Sequence, residues 1–365
     1  MDNLEVTYND KGKYSIVFEK DFGKLSEYIS EFDPNNKKAA VITDTNVGPI
    51  YAQEVAEILS ESFSEVLIFT IEAGEQSKCL NVVSDIYEFL AQNDFHRTDF
   101  LFALGGGVTG DITGYVASTY MRGIGYIQIP TSLLAMVDSS VGGKCGVDFM
   151  QFKNMVGSFY MQKLVYIAVK CLTTLPESEF SSGMAEALKS GLIRNASFYE
   201  WMILNFDEIM SKDIDALENV IENSIYVKHA VVTKDPFETG ERMILNFGHT
   251  IGHALEKYYN FEKKHGECVA LGMVAAAFIS WKRQLLSMEE YYEIRDMFVP
   301  FNLPISVDDF DVTEVYNLIQ SDKKVINSRL NFVLLKKIGK AVIVNDVSED
   351  EIMDSLKELI VSWED

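Results

Sequence analysis

The chain is poor in positive charge. Lys and Arg number 32 against 55 Asp and Glu, a net charge of −23 over 365 residues. Such a surface repels nucleic-acid backbones and anionic membranes, so neither is an expected partner, and an anionic ligand has to be met by a local basic cluster. Cysteine pairing is also missing. Cys79, Cys145, Cys171 and Cys268 are scattered without a CxxC motif, and the start, MDNLEVTYND, has neither a basic nor an apolar leader region. A disulfide framework is not expected, and a reducing cytoplasm is. No run is long enough for a membrane span: CVALGMVAAAFISW (268–281) is fourteen residues, against about 20 for a bilayer. It reads as a buried helix.

The length suits two domains, at roughly 100–200 residues each. Up to about residue 170, KAAVITD (38–44), VLIFTIE (66–72), DFLFALGG (99–106), GYIQIPTS (125–132) and LVYIAV (164–169) alternate with amphipathic stretches. Strand–helix alternation predicts a mainly parallel sheet in a Rossmann-like α/β domain, residues 1–172. Beyond TTLPESEF (173–180), runs such as ASFYEWMILNFDEIM (196–210) and EIRDMFVPF (293–301) have helical spacing, and residues 173–365 are expected to form a mainly α-helical domain. The boundary, near 170–180, is marked by no linker, and no internal repeat is present.

LGGGVTGDITGY (104–115) follows an apolar strand, and Gly105, Gly107 and Gly110 satisfy G-x-G-x-x-G. A helix beginning here could offer backbone N–H groups to a pyrophosphate. A mere tight turn is the competing reading, because the dinucleotide fingerprint normally opens the first strand–helix unit and is followed by an acidic residue about 20 positions on. Asp44 and Asn46 follow the first strong strand, where they could read a ribose or adenine edge or simply cap a helix. Within 120–160 the chain gathers Arg122, Lys144 and Lys153 with Asp138 and Asn154. These cations could bind a phosphate or carboxylate, or be solvated loop charges.

Histidine is scarce too, yet three of the five lie between 249 and 265. If NFGHTIGHALE (246–256) is helical, His249 and His253 share a face at the i,i+4 spacing that suits Zn²⁺. A third donor could be His265, with Glu267 to orient it, or Glu186. Spacing does not say which of the three imidazoles stays off the metal to move protons.

In order, GEQSK (74–78), GGGVTGD (105–111), YMRGI (120–124), PTSLLAMVDSSVGGK (130–144), FKN (152–154), TLPESEF (174–180), GMAEALKSG (183–191), NFGHTIGHALE and HGE resemble the 3-dehydroquinate synthase family, over roughly residues 40 to 340. The resemblance implies zinc, or cobalt, held by Glu186, His249 and His265, with His253 as the proton-transfer histidine in place of a second ligand of an i,i+4 pair. It implies NAD⁺ contacts at Asp44, Asn46, Gly74, Glu75, Gln76, Ser77, Lys78, Gly106, Gly107, Val108, Asp111, Thr131, Ser132, Lys153, Thr173 and Thr174. Substrate contacts fall on Arg122, Asp138, Lys144, Asn154, Lys189, Lys228, Arg242 and Asn246, and one of Lys323 and Lys324 is expected to join them. Lys144, Lys189, His253 and Glu238, the last as proton acceptor, are the implied catalytic groups.

The substrate implied is 3-deoxy-D-arabino-heptulosonate 7-phosphate, whose carboxylate and phosphate explain focused cations in an acidic chain. The chemistry implied is transient oxidation by NAD⁺ beside a Lewis-acidic metal, β-elimination of phosphate, reduction by the same NADH and aldol closure. A cytoplasmic homodimer is the implied setting. Two departures bear on substrate preference: CGVD (145–148) and FKN (152–154) replace the family's commoner segments, with Asp148 in place of Asn. Other sugar phosphate cyclases, such as 2-deoxy-scyllo-inosose synthase, share this scaffold. A polyol dehydrogenase of the glycerol dehydrogenase type would not need Arg122, Lys144, Lys189 and Arg242.

Overall fold

The computed structural model describes residues 4–8, 12–150, 152–235, 240–326 and 330–361; Glu238 lies outside them, as do the side chains of Lys323 and Lys324. The chain forms two compact units, Met1–Leu175 and Pro176–Asp365.

Among the described residues unit 1 has nine strands: β1 (Leu4–Tyr8), β2 (Gly12–Glu19), β3 (Lys38–Asp44), β4 (Glu65–Ile71), β5 (Phe100–Gly105), β6 (Gly125–Pro130), β7 (Lys144–Phe149), β8 (Phe152–Phe159) and β9 (Leu164–Ala168). Its helices are α1 (Leu25–Ser30), α2 (Gln53–Ser60), α3 (Leu80–Gln92) and α4 (Gly107–Thr119). Seven strands form one sheet in the order β1-β2-β9-β6-β5-β3-β4, parallel except for the β1–β2 edge pair. Strands β5 and β9 are buried throughout, which is why they read as continuous apolar runs without alternation. A core of Ile42, Leu101, Ile112, Val116, Ile86 and Leu90 fills the space between sheet, α3 and α4.

Parallel strands end at one edge of a sheet. Here β3 is flanked by β4 on one side and β5 on the other, a reversal of strand order that opens a crevice at the carboxyl ends. Asp44 closes β3, GEQSK follows β4, Gly106 follows β5 and Thr131 follows β6. Backbone bonds draw these ends together: Thr45 N–H donates to Ile71 O (3.0 Å) and Thr131 N–H to Gly105 O (3.0 Å). The five strands expected from the sequence are all present. The antiparallel β7–β8 hairpin occupies the stretch read only as a polar run.

Unit 2 contains α5 (Glu177–Arg194), α6 (Ala196–Leu204), α7 (Phe206–Met210), α8 (Ile214–Lys234), α9 (His249–Tyr258), α10 (His265–Lys282), α11 (Met288–Asp296), α12 (Val312–Ile326), α13 (Glu349–Lys357) and the hairpin β10 (Phe332–Lys337) and β11 (Lys340–Val344). Helix α10 is buried without a break from Cys268 to Ser280. An all-round apolar helix has to be surrounded, and α5, α9, α11, α13 and β10 all pack on it.

Two glycine contacts fix the site in this unit. Gly248, which caps α9 at φ +80, faces Gly272 of α10 so closely that a Cβ on Gly272 would stand 1.9 Å from the Gly248 oxygen. At the start of α10, a Cβ on Gly266 would stand 2.1 Å from the Ser182 oxygen of α5, and Gly266 N–H donates to Ser182 Oγ at 2.9 Å. Backbone therefore meets backbone where α10 crosses α5, next to His265, and where it crosses α9, next to His249.

Candidate active site

Unit 2 brings Glu186, His249 and His265 together from α5, α9 and α10, with one potential ligand atom from each within 4.8 Å of the others. Glu186 is 2% exposed. Its Oε2 accepts from Lys189, also buried and one turn on. Its Oε1 has no hydrogen-bond partner among the described residues, although His249 Nε2 stands 3.5 Å away and His265 Nε2 3.6 Å away. The opposite ring nitrogens are engaged: His249 Nδ1 with Phe247 O and His265 Nδ1 with Glu256 Oε1, each at 3.1 Å. A buried carboxylate oxygen without a donor and two Nε2 atoms converging on it suit a divalent cation, since such an oxygen is otherwise costly.

Charge is shared unequally here. Burial would lift the Glu186 carboxyl, but Lys189, then His249 and His265, hold it well below its ordinary value. Burial, then the Lys189 ammonium, pushes His249 down to about 3. Burial also opposes the cation at His265, but the carboxylates of Glu186 and Glu256 outweigh it and lift that ring to about 9.

His253 is exposed, and its ring centroid lies 5.2 Å from that of His249. It does not belong to the Glu186 set, although His253, Glu256 and His265 form a second group whose ligand atoms lie within 4.8 Å. Glu267, expected to orient His265, instead accepts from Lys264 N–H at 2.7 Å; at the third position of α10 a carboxylate is drawn to the free N–H groups of the first turn. Glu256 has the orienting position. The sequence held one signal for it, a carboxylate three residues after His253 on the same helix.

Unit 2 also buries Lys228 on α8 and Arg242 in the turn Glu241–Asn246, while Asn246 is half-buried. Asp235 fixes that turn, its Oδ2 accepting from Gly240 N–H (2.7 Å) and Arg242 N–H (3.0 Å).

In unit 1 the glycine turn delivers α4 with Gly106 as its N-cap and no side-chain cap, which leaves first-turn N–H groups for an anion. A Cβ at Gly107 would come within 3.2 Å of Ser139 Oγ, and one at Gly106 within 3.4 Å of Ser132 Oγ, so side chains here would narrow the cradle. Asp44 braces it: Oδ1 accepts from Asn46 N–H (2.9 Å) and Val47 N–H (3.0 Å), and Oδ2 from Thr109 Oγ1 (3.2 Å). Gly74, at φ +118, opens the short turn Glu75–Ser77, and Gln76 Nε2 donates to Ala73 O at 2.8 Å. Thr174 Oγ1 bonds the Tyr51 hydroxyl (2.8 Å), and Thr173 Oγ1 donates to Lys170 O (2.7 Å). Val108 is half-buried in the first turn of α4.

Lys78 is the buried hub of this unit, pairing with Asp111 Oδ2 (2.6 Å) and donating to Asn154 Oδ1 (2.5 Å). Burial opposes its charge, but Asp111 and Glu75 outweigh that and hold its pKa above the ordinary lysine value. Asp148, the departure at the hairpin, accepts from Asn154 N–H at 2.7 Å while Asn154 holds φ +53. Burial raises the Asp148 carboxyl against the pull of that N–H. Lys153 pairs with Glu75 at 3.5 Å. Lys144 and Arg122 are exposed and Asp138 half-buried. Met121, Arg122 and Gly123 are all left-handed (φ +48, +66 and +124), a strained loop of the kind found at functional sites.

These features define a two-unit protein with a nucleotide-type turn on a parallel sheet in one unit and a Glu-His-His donor set between helices in the other. Two family models match, 3-dehydroquinate synthase N-terminal over residues 68–182 and 3-dehydroquinate synthase C-terminal over residues 183–325. A 3-dehydroquinate synthase of Acetivibrio thermocellus is 42% identical over 363 residues, 99% of each chain. The chain belongs to the 3-dehydroquinate synthase family. Among solved structures, a 2-deoxy-scyllo-inosose synthase complexed with carbaglucose-6-phosphate, NAD⁺ and Co²⁺ superposes with a TM-score of 0.87 at 25% identity, covering 98% of this chain and 100% of the other. The 2-epi-5-epi-valiolone synthase of Streptomyces hygroscopicus, with NAD⁺ and Zn²⁺ bound, gives 0.87 at 25% identity over 97% and 98%.

Proposed function

We propose that this chain is a 3-dehydroquinate synthase, a phosphate-eliminating carbon–oxygen lyase acting on 3-deoxy-D-arabino-heptulosonate 7-phosphate in the shikimate route to chorismate and the aromatic amino acids. The observation that carries the reading is the buried Glu186 Oε1, without a hydrogen-bond partner among the described residues and facing two Nε2 atoms, in a chain of this family. Glu186, His249 and His265 hold a zinc or cobalt ion, and the cradle of Gly106, Gly107 and Val108, with Asp44, Asn46, residues 74–78, Asp111, Thr131, Ser132, Lys153, Thr173 and Thr174, holds NAD⁺. When bound, the two supply a Lewis acid and a reversible hydride acceptor, so the reaction ends with no net redox change.

The chain's own residues bind, orient and move protons. Arg122, Lys144, Lys189, Lys228 and Arg242, with Asp138, Asn154 and Asn246, receive the substrate, and the cations among them meet its phosphate and carboxylate. Burial of Lys189, Lys228 and Arg242 supports this, because a desolvated cation binds an anion more strongly than a solvated one. His253, exposed beside the donor set, relays a proton at its ring nitrogen, and Glu238 accepts one. Residues 1–172 carry most of the cofactor contacts and four of the substrate contacts, and residues 173–365 carry the metal donors and the other four. Among the described residues no helix is long and apolar enough to cross a membrane, and the setting we infer is a cytoplasmic homodimer.

The test is product identity. Purified protein with NAD⁺ and Zn²⁺ should turn the heptulosonate phosphate into 3-dehydroquinate, identified by mass and NMR, and leave glucose 6-phosphate untouched. Cyclisation of glucose 6-phosphate instead would assign the chain to another sugar phosphate cyclase activity.

A further inference from the structure

One buried acid has no part in that scheme. Glu256 on α9 is 3% exposed, and an ionised carboxylate is not buried at such depth without a partner. Its Oε1 lies 3.1 Å from His265 Nδ1, while the Nε2 of the same ring lies 3.6 Å from Glu186 Oε1. An imidazole that donates Nδ1–H to a carboxylate keeps its lone pair on Nε2, here the atom that faces the Glu186 oxygen. His249 reaches the same orientation with a weaker acceptor, the Phe247 carbonyl. The backbone of His265 is held by the Gly266–Ser182 contact, so the ring's remaining freedom is rotation about its side-chain bonds.

We propose that Glu256 is a positioning residue: it fixes the tautomer and rotation of His265 and, as an anion, strengthens Nε2 as a donor to the divalent cation. This rests on the reading of Glu186, His249 and His265 as the metal donors. A carboxylate behind a ligating histidine is worth about 10–100-fold in metal affinity. Glu256 is not itself a ligand in this account. The alternative group of His253, Glu256 and His265 would place an ion on the Nδ1 side of His265, where Glu256 Oε1 lies 3.1 Å away, and would make Glu256 a ligand.

The experiment is a Zn²⁺ competition titration against a chromophoric chelator on the full chain, with thermal unfolding of the metal-stripped proteins as a separate readout. Glu256→Gln is nearly isosteric but neutral, and its amide can also donate to Nδ1, which favours the tautomer with the hydrogen on Nε2. We expect Glu256→Gln to weaken zinc by about 10-fold and Glu256→Ala by up to about 100-fold. One ion should bind per chain in each, and the melting temperature of stripped Glu256→Gln should match that of the stripped parent. Parental affinity in Glu256→Gln would overturn the proposal, and if Glu256→Ala then lost affinity and melting temperature together, the role would be packing alone. A second zinc per chain, lost in both Glu256→Ala and His253→Ala, would make Glu256 a ligand and equally overturn it. If the parent chain takes up no zinc, the metal reading itself fails and the proposal falls with it.

Discussion

The two units prepare for their ligands in opposite ways. In unit 1 the charged groups satisfy one another: Lys78 is held by Asp111 and Asn154, and Asp44 by two backbone N–H groups and Thr109. The cradle is complete in itself and offers mainly backbone and shape. In unit 2 Glu186 Oε1 is buried without a hydrogen-bond partner among the described residues, while Phe247 O and Glu256 Oε1 occupy the far sides of the two imidazoles that face it. A site for an organic cofactor can stand preformed on strand ends and turns. A cation site leaves a polarity deficit that only the ion fills, and so needs helices pinned backbone to backbone.

The contrast is broken most severely at the histidines. On the proposed reading of three metal donors, replacing His249 or His265 by Ala should remove most of the bound metal, whereas His253→Ala should keep near-stoichiometric metal while turnover falls by about 10²–10⁴-fold. Elemental analysis beside steady-state kinetics checks both halves. Gly272→Ala attacks the pinning: a Cβ 1.9 Å from the Gly248 oxygen forces α9 from α10, and denaturant unfolding should show a loss of about 3 kcal/mol or more together with weaker metal binding. In unit 1, Lys78→Met would leave Asp111 without its buried cation; we expect a loss of about 1–3 kcal/mol and weaker NAD⁺ binding by calorimetry, with metal content unchanged.

The smallest effect belongs to a pair that serves only unit 2 architecture. Arg283 at the end of α10 bonds Glu351 of α13 through Nε (2.5 Å) and Nη2 (2.8 Å), and this lowers the Glu351 carboxyl to about 2. A depressed carboxyl stabilises above its unfolded value, here 4.5, and the contribution is lost as pH falls towards 2. Glu351→Gln should therefore cost about 1–2 kcal/mol at neutral pH after solvent screening, and the difference from the parent should shrink between pH 4.5 and 2 in thermal unfolding.

How much of this was legible in the sequence follows the same division. The central strands announced themselves because burial on both faces demands unbroken apolar runs, as in FLFALG and LVYIA. The β7–β8 hairpin did not: β8 is largely half-exposed, and its polar residues masked the strand pattern. The histidine spacing put His249 and His253 on one helix face and left the third donor open between His265 and Glu186, since Glu186 arrives from 63 residues upstream through α5 packing on α10. Family resemblance, not spacing, named that set. Glu267 looked like the natural support for His265 because it is adjacent in sequence, yet local helix capping claimed it and a residue on another helix took the place.

The central claim is that this chain runs a redox-neutral cyclisation. It is tested most directly by mixing the protein with Zn²⁺, excess heptulosonate phosphate and NAD⁺ at well below one equivalent per substrate, and following phosphate, carbocycle and NADH together. The account predicts phosphate and 3-dehydroquinate in equal amounts, many turnovers per NAD⁺, and no accumulating NADH. NADH formed in step with product, and a reaction that stops when NAD⁺ is spent, would contradict it and make the chain a dehydrogenase.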